Sequence, residues 1–315
     1  MPAPNEDSGD PDRTGTASLF SAVPNDWGSR VGEDVKPDSW GDCVKLLLDS
    51  GGSETVYRGH RCFEWKLEST LERALQEHAK RWDPEKYGLM LSESVDHETE
   101  QWADGVERWM TEFFRRNALR FGMPDLPEPW DTLGWWEVMQ HHGAPTRLLD
   151  WTRSPFVALW FAMDGCTQES GDMALWIYDR RNARLNHLDA EKMLLRASDS
   201  DTWDDRRLQN RFVEEAIADG NPALIPVVPR LFPRSIAQQS TLTVSPTISV
   251  GRPANWWIRK QLATRIWLSA AWRDEMRATC SSLGLSRPGL YRDLDSLGEY
   301  VSTTFRDRIE WVDLQ

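Results

Sequence analysis

Two short segments place polar and charged side chains inside otherwise apolar sequence, and they are the candidates for chemistry. The first is Tyr57-Arg58-Gly59, which follows the β-branched start Thr55-Val56 of a predicted strand. The planar guanidinium of Arg58 suits a carboxylate or a phosphate, and Gly59 lets another backbone or a ligand approach closely. A structural salt bridge, for example to Asp150, is the alternative for Arg58.

The second segment runs from Gln140 to Thr152 and combines amide, imidazole, guanidinium and carboxylate groups. Residues 147–152 are predicted as a strand, whose alternation places Asp150 and Thr152 on one face. Ser154-Pro155 then gives an N-cap and a proline at the first helical position. The free N–H groups of such a helix start favour an anion, so the segment predicts a phosphate or pyrophosphate pocket. Other strand-to-helix turns share this property.

His141 and His142 could be metal ligands, general acid–base groups or hydrogen-bonded structural residues. Adjacent side chains point in different directions, and no third ligand stands at a typical spacing, so no metal site is predicted. The acid–base and structural interpretations stay open. The sequence contains no serine nucleophile elbow, P-loop or G-x-G-x-x-G pattern, which argues against those enzyme classes.

The elements that must position these segments are a mixture of helices and strands. Helical spacing is found over residues 39–48, 96–122, 133–142, 156–163, 204–219, 270–283 and 294–303. Strand patterns cover residues 54–61, 147–152, 174–178, 224–228, 240–250 and 265–268. Because the order is irregular, we predict an α+β fold with one mixed-sheet domain surrounded by helices. The domain is expected over residues 25–315, after a flexible tail at residues 1–24 that is rich in Pro, Asp, Gly, Ser and Thr.

The most regular helical pattern carries Trp102, Val106, Trp109 and Phe113 as one apolar stripe, and it is interpreted as scaffold. The 18 tryptophans of the chain indicate an aromatic core, with ring-lined ligand pockets as the alternative.

The charge balance of the 315-residue chain is acidic, with 37 basic and 50 acidic residues and a net charge of −13. This excess argues against nucleic acid as a partner. The local cluster Arg115, Arg116 and Arg120 is typical of a solvated helix face. The four cysteines are scattered, and neither a secretory leader nor an apolar run of membrane-spanning length is visible. A cytoplasmic location without membrane attachment is therefore expected.

These segments resemble the FRG domain, a bacterial family named for a Phe-Arg-Gly motif. The family's central signature is matched from Gln140 to Thr152 except at His142, which replaces an aromatic residue. The resemblance covers about residues 39–303. Its further motifs are Tyr57-Arg58-Gly59, Leu71-Glu72-Arg73, the helix Ser154–Ala162, the trio Arg234, Gln238 and Gln239 (with Ser240 and Leu242 in place of Gly and Phe), and the turn Gly289–Asp295.

A weaker resemblance links the chain to ADP-ribosyltransferases of the arginine-serine-glutamate kind. It implies NAD as substrate, with the phosphate held by Arg58. Gln238 takes the place of the catalytic glutamate but lacks its charge, and Glu214 or Glu215 could substitute if the fold brings them in. The other residues implied are Gln140 and His141 as pocket lining, Asp150 and Thr152 as ribose-positioning groups, and Tyr57, Gly59 and Arg147 as further cofactor-binding residues.

Three functions follow as hypotheses. The first is an NAD-using ADP-ribosyltransferase or NAD hydrolase of bacterial toxin or phage-defence type, with Arg58, His141, Asp150 and Gln238 as catalytic residues. The second is a non-catalytic sensor or interaction domain that binds a nucleotide-like or other anionic small molecule, with a protein partner left open. The third is another, unknown chemistry, which includes a nuclease that would use the aspartate run at residues 199–205, although that run is more typical of a solvated loop.

Overall fold

The computed structural model describes residues 32–82, 97–121, 125–167, 169–180, 206–218, 224–230, 232–248 and 263–309, with the side chains of 97–101 and 303–309 left out. The predicted tail at residues 1–24 and the aspartate run at 199–205 lie outside the described residues.

One seven-stranded mixed sheet organises the described part of the chain, with the strand order β1-β7-β4-β2-β3-β6-β5. Only the pair β1–β7 is parallel, and the other neighbouring strands are antiparallel. The α+β fold class and the mixed sheet are therefore confirmed. The strands are β1 Asp34–Val35, β2 Thr55–His60, β3 Leu148–Thr152, β4 Met173–Asp179, β5 Ile225–Val227, β6 Ser240–Val244 and β7 Ala263–Leu268.

Ten α-helices surround this sheet within the described ranges. No helix among them is long and apolar enough to cross a bilayer. Their bounds are α1 Trp40–Asp49, α2 Thr70–Trp82, α3 His97–Ala118, α4 Thr132–His141, α5 Pro155–Met163, α6 Arg206–Ala218, α7 Pro233–Ala237, α8 Arg273–Ser282, α9 Arg287–Tyr291 and α10 Leu294–Ile309.

Helix caps explain why the candidate segments begin and end where they do. Ser154 caps α5 by accepting a hydrogen bond from the Val157 N–H, and Asp131 caps α4 through the Gly134 N–H. Each cap satisfies an N–H group that has no partner inside the helix. The predicted strand at 240–250 ends earlier, at Val244, and the elements α2, α7 and α9 were not predicted.

The apolar stripe predicted for α3 is buried only in part. Trp102 and Val106 pack against the cluster of Leu71 and its neighbours. Trp109 and Phe113 are instead 65% and 57% exposed, and their rings stack on each other at 5.5 Å. Helical spacing located the stripe but did not show how much of it the rest of the fold covers.

Two helical layers cover the same face of the sheet at different places. Helix α5 packs on β2 and β4 in the cluster that contains Tyr57 and Ala158. Gly59 makes this contact possible, because a Cβ there would lie 2.0 Å from the Ala158 carbonyl oxygen. Helices α4 and α6 cover β3, β5 and β6 through the cluster of Trp136 and Leu148. A cleft separates the two layers.

The sheet itself opens under this cleft. Strands β2 and β3 are joined by the single pair Tyr57–Thr152. By contrast, β2 pairs with β4 from Thr55 to His60, and β3 pairs with β6 along its whole length. Because β2 and β3 separate beyond that pair, the side chain of Arg58 can enter the space between them.

Candidate functional site

The cleft and the gap between β2 and β3 form one cavity of about 900 Å³. Its walls come from the sheet, from the segment 61–68 and α2, from α4 and α5, and from residues 229–230 and 232–238 together with α9. Nearly all of the residues that the sequence predicted as site residues line it. The lining members of that set are Tyr57, Arg58, Gly59, Gln140, His141, Asp150, Thr152 and Gln238.

Arg58 bridges the gap between the two separated strands. Its Nη1 donates to the Asp150 carbonyl oxygen at 2.6 Å, and its Nε donates to His60 Nε2 at 3.1 Å. The alternative of a salt bridge to the Asp150 carboxylate is not what the structure shows, since Arg58 contacts the backbone of that residue. Among the described residues, no carboxylate lies within salt-bridge distance of Arg58.

Arg58 remains a cation at neutral pH although its surroundings oppose the charge. Burial lowers the pKa of the guanidinium to about 10, the Asp150 carboxylate counteracts this, and the nearby charge of Arg73 adds to the lowering. When a partly buried guanidinium has no carboxylate partner, little offsets the hydration that its positive charge has lost. An anionic group of a ligand would supply the missing compensation.

The whole cavity has an excess of positive charge in a chain whose net charge is −13. Seven basic and five acidic side chains line it. Two of the carboxylates are already paired, Glu137 with Arg206 and Asp164 with Arg287. Within the described ranges, no ion pair is formed by the lining cations Arg58, Arg61, Lys66, Arg73 and Arg234.

Asp150 is an exposed carboxylate in the middle of a strand whose other residues are buried. Because β3 is separated from β2 at this position, the side chain meets the cavity instead of a neighbouring strand. Its charge stabilises the Arg58 guanidinium through space. The arrangement brings a carboxylate and a cation into the same cavity without a direct ion pair between them.

Thr152 and Gln238 fix the position of the segment that enters β6. The Thr152 hydroxyl donates to the Gln238 carbonyl oxygen at 2.7 Å, and Gln238 Nε2 donates to the Leu290 carbonyl oxygen at 3.2 Å. The next residue, Gln239, adopts a left-handed backbone with φ of 48°. Gln238 is 8% exposed and its amide serves this connection to α9.

The two glutamates considered as substitutes for Gln238 lie elsewhere. Glu214 and Glu215 are exposed on α6, and neither is among the described residues that line the cavity. Glu215 pairs with Arg211 one helical turn away. The carboxylates that do reach the cavity are those of Asp150, Asp164 and three glutamates, Glu64, Glu68 and Glu137.

Gln140 and His141 line the cavity from the last turn of α4. Gln140 Oε1 accepts a hydrogen bond from the Thr146 hydroxyl at 2.5 Å, which leaves its amide N–H groups for a ligand. His141 is exposed and stacks on Phe232 at 5.1 Å. Burial, His142 and Arg234 lower the pKa of His141, with Asp293 opposing, so that the imidazole is neutral at neutral pH.

The structure places Arg147 outside the cavity. It is 2% exposed, donates from Nε to both Glu107 carboxylate oxygens, and also pairs with Asp104 at 2.8 Å. Its Nη1 donates to the Pro246 carbonyl oxygen. Because its N–H donors are satisfied by these protein acceptors, Arg147 joins α3 to the start of β3 and has no free face for a cofactor.

Two further predicted residues line the cavity but have structural contacts. The Tyr57 hydroxyl lies 3.0 Å from that of Ser50 inside the core, and burial raises the pKa of Tyr57. Gly59 is needed for the contact with α5. The group that approaches it closely is therefore the α5 backbone and not a ligand. The cavity runs along Ala158, Phe161 and Asp164 of α5, and the first turn of that helix, where an anion was predicted, is not part of its lining.

Several lining residues were not predicted as site residues. Arg73 belongs to the motif Leu71-Glu72-Arg73, and Arg234 begins the glutamine motif, so the motifs contained a signal for both. Tyr291 lies in the C-terminal turn motif, and the Arg234 guanidinium stands 4.5 Å from its ring centroid. Trp65 and Phe232 lie in no motif, and only the fold brings them to the cavity.

No cluster of three or more His, Cys, Asp or Glu side chains that could bind a metal ion occurs in the part of the chain that the structure describes. The rings of His141 and His142 meet edge to face at 5.0 Å.

Comparison with known proteins agrees with the central motifs. No curated protein and no solved structure matches the chain. The model of the FRG domain matches residues 53–171. This range contains both Tyr57-Arg58-Gly59 and the segment Gln140–Thr152, and it ends before the glutamine motif at Arg234. The chain therefore contains an FRG domain at residues 53–171.

Proposed function

We propose that the cavity binds a nucleotide-like, phosphate-bearing small molecule. The observation that carries this proposal is Arg58, a partly buried guanidinium that lines the cavity without a carboxylate partner among the described residues. Guanidinium groups bind phosphate oxygens strongly through charge-assisted hydrogen bonds. Phosphate would supply the direct ion pair that the described carboxylates do not form with Arg58.

The surroundings of Arg58 support a ligand larger than inorganic phosphate. A cavity of about 900 Å³ lies within the size range of small-molecule and cofactor sites. Arg73 and Arg234 add further cations, and Gln140 offers amide donors. Aromatic side chains on the walls suit a ligand that also has a ring system.

A second candidate function is NAD hydrolysis or ADP-ribosyl transfer, and Asp150 favours it. Cleavage of the bond between ribose and nicotinamide develops positive charge on the ribose, which a neighbouring carboxylate stabilises. Asp150 is exposed in the cavity next to Arg58, which would hold the phosphates. Neutral His141 could accept a proton from water or from an acceptor group. Gln238 contributes no charge to this reaction.

Calorimetric titration of the purified chain with NAD, ADP and inorganic pyrophosphate tests the binding proposal. We expect binding in the wild type and a large loss in Arg58→Ala. Arg211→Ala is the matched control, since Arg211 is an exposed arginine outside the cavity. Absence of binding for all three probes, or equal binding by Arg58→Ala and the wild type, would contradict the proposal.

Nicotinamide release from NAD separates the two candidates. Release that disappears in Asp150→Asn and in Arg58→Ala supports an NAD-consuming enzyme, and toxicity on overexpression should disappear in the same variants. Binding of NAD without release supports a nucleotide-binding sensor or interaction domain. Release that both variants retain would contradict the assignment of this cavity as the reacting site.

A further inference from the structure

We propose that Trp65 is the platform on which the aromatic base of the ligand stacks. This inference rests on the proposed function, because it assigns the second half of the same nucleotide. Trp65 lines the cavity and is 47% exposed. Indole rings with an open face are effective stacking surfaces for nucleobases.

The position of Trp65 relative to the phosphate-binding end carries the proposal. The His60 imidazole contacts both Trp65 and Arg58: the Trp65 and His60 ring centroids are 6.2 Å apart, and His60 Nε2 accepts from Arg58 Nε at 3.1 Å. A nucleotide whose phosphates bind Arg58 therefore has an aromatic ring within reach of its base.

The rigidity of this platform comes from its neighbours. The edge-to-face contact with His60 fixes one side of the indole, and the His60 ring itself packs edge to face against Trp176 at 6.2 Å between centroids. The Trp65 N–H closes a turn onto the Cys62 carbonyl oxygen. A prepositioned ring loses little freedom on binding, which favours affinity.

Trp65 already has a stacking partner of the right kind. The Arg61 guanidinium lies over its ring, 5.5 Å from the centroid, and Arg61 is exposed. Guanidinium and nucleobase planes both stack on indole. A base could occupy the other face of Trp65 or replace the exposed guanidinium, which forms no ion pair among the described residues.

The other aromatic residues that line the cavity are less available. Phe232 is covered by His141, whose ring is within 14° of parallel to it. Tyr291 has the Arg234 guanidinium at 4.5 Å and the Arg287 guanidinium at 4.9 Å from its centroid. Trp65 is thus the described aromatic residue of the lining with the most open surface.

The test compares the affinities for ADP and for inorganic pyrophosphate, measured by calorimetry on the full chain. A stacked base adds about tenfold or more in affinity. We expect ADP to bind wild type at least about tenfold more tightly than pyrophosphate, and this advantage to disappear in Trp65→Ala. Trp65→Phe should keep most of it. Trp109→Ala, which removes an exposed tryptophan outside the cavity, should leave the ratio unchanged.

The outcomes separate this inference from the proposed function. If Trp65→Ala binds pyrophosphate like the wild type and keeps the full advantage of ADP, the base platform is wrong while the phosphate site stands. If wild type binds neither probe, the proposed function fails and this inference fails with it. A folded Trp65→Ala protein is recognised by its unaltered affinity for pyrophosphate, which is an internal control for misfolding.

Discussion

Two arginines of the FRG domain are in opposite chemical situations: Arg58 on β2, and Arg147 directly before the neighbouring strand β3. Arg147 is enclosed by Glu107, Asp104 and the Pro246 carbonyl oxygen, and the cation also lies 5.3 Å from the Trp136 ring centroid. Arg58 has one backbone carbonyl and one imidazole as acceptors.

The pKa values of the two arginines reflect this difference. Burial lowers the pKa of Arg147, but the Glu107 and Asp104 carboxylates outweigh this effect and raise it above the ordinary value. The pKa of Arg58 is lowered to about 10 because burial is opposed only by the more distant Asp150. An arginine compensated by its own protein is structural, whereas an uncompensated one beside a cavity is available to an anion.

The largest effect is expected from Arg147→Met. This change leaves the Glu107 carboxylate buried without its partner, which costs about 3–5 kcal/mol in the free energy of unfolding. Urea unfolding at neutral pH measures it. The double variant Arg147→Met/Glu107→Leu should recover most of the loss, since no unpaired charge remains. A single variant as stable as the wild type would show that the network is dispensable.

The next effect in size is the loss of ligand binding in Arg58→Met. Charge-assisted hydrogen bonds are worth about 1.5–3 kcal/mol, so affinity for pyrophosphate should fall about tenfold to a hundredfold. The free energy of unfolding should change by about 1–3 kcal/mol, less than in Arg147→Met, because the loss of two hydrogen bonds is offset in part by removal of a poorly compensated charge. A variant that loses much stability and retains its affinity would reverse the assignment of the two arginines.

Much of the fold that positions these arginines was predictable because local patterns dominate it. Alternation located β2 and β3, and the Ser154-Pro155 pair located the start of α5. The extent of burial along α3 was not predictable, because exposure of Trp109 depends on which distant elements pack there.

The candidate site was predictable in its motifs but not in its partners. The signature segment supplies both Arg147 and Asp150. Only the fold decides that Arg147 pairs with Glu107 on α3 and that Asp150 remains exposed. Strand separation between β2 and β3 has no local sequence signal, since pairing depends on residues far apart in the chain. Trp65 was not predicted as a site residue because only contacts between residues far apart in the chain bring it to the cavity.

A smaller effect, and one that tests the likeness to ADP-ribosyltransferases, is expected from Gln238→Glu. Gln238 Nε2 donates to the Leu290 carbonyl oxygen, and a carboxylate at 8% exposure cannot replace that donor. We expect a loss of about 1–3 kcal/mol in the free energy of unfolding and no gain in nicotinamide release. A marked gain in release would instead show that this position is the catalytic one.

The smallest effect concerns His60, whose Nε2 accepts a hydrogen bond from Arg58 Nε and whose ring packs edge to face against Trp176. Burial, followed by the charge of Arg58, holds the pKa of His60 well below its ordinary value of 6.5, and a bond with the Trp65 backbone acts in the opposite direction. Above pH 6.5 the imidazole is neutral in both the folded and the unfolded chain. As the pH falls below 6.5, the unfolded chain binds a proton that the folded chain does not.

Stability should therefore decrease below pH 6.5, with His60 contributing about 1.4 kcal/mol per pH unit until its folded pKa is reached. Urea unfolding at about pH 7 and about pH 5.5 measures the decrease, which should be smaller in His60→Gln because glutamine keeps an acceptor and does not titrate. Other titrating groups are common to both proteins and cancel in the difference. Arg58→Met should also weaken the decrease, since its charge is the second cause of the lowered pKa. Equal decreases in all three proteins would mean that His60 is accessible to protons in the folded chain, and that the uncompensated charge of Arg58 does not act on it.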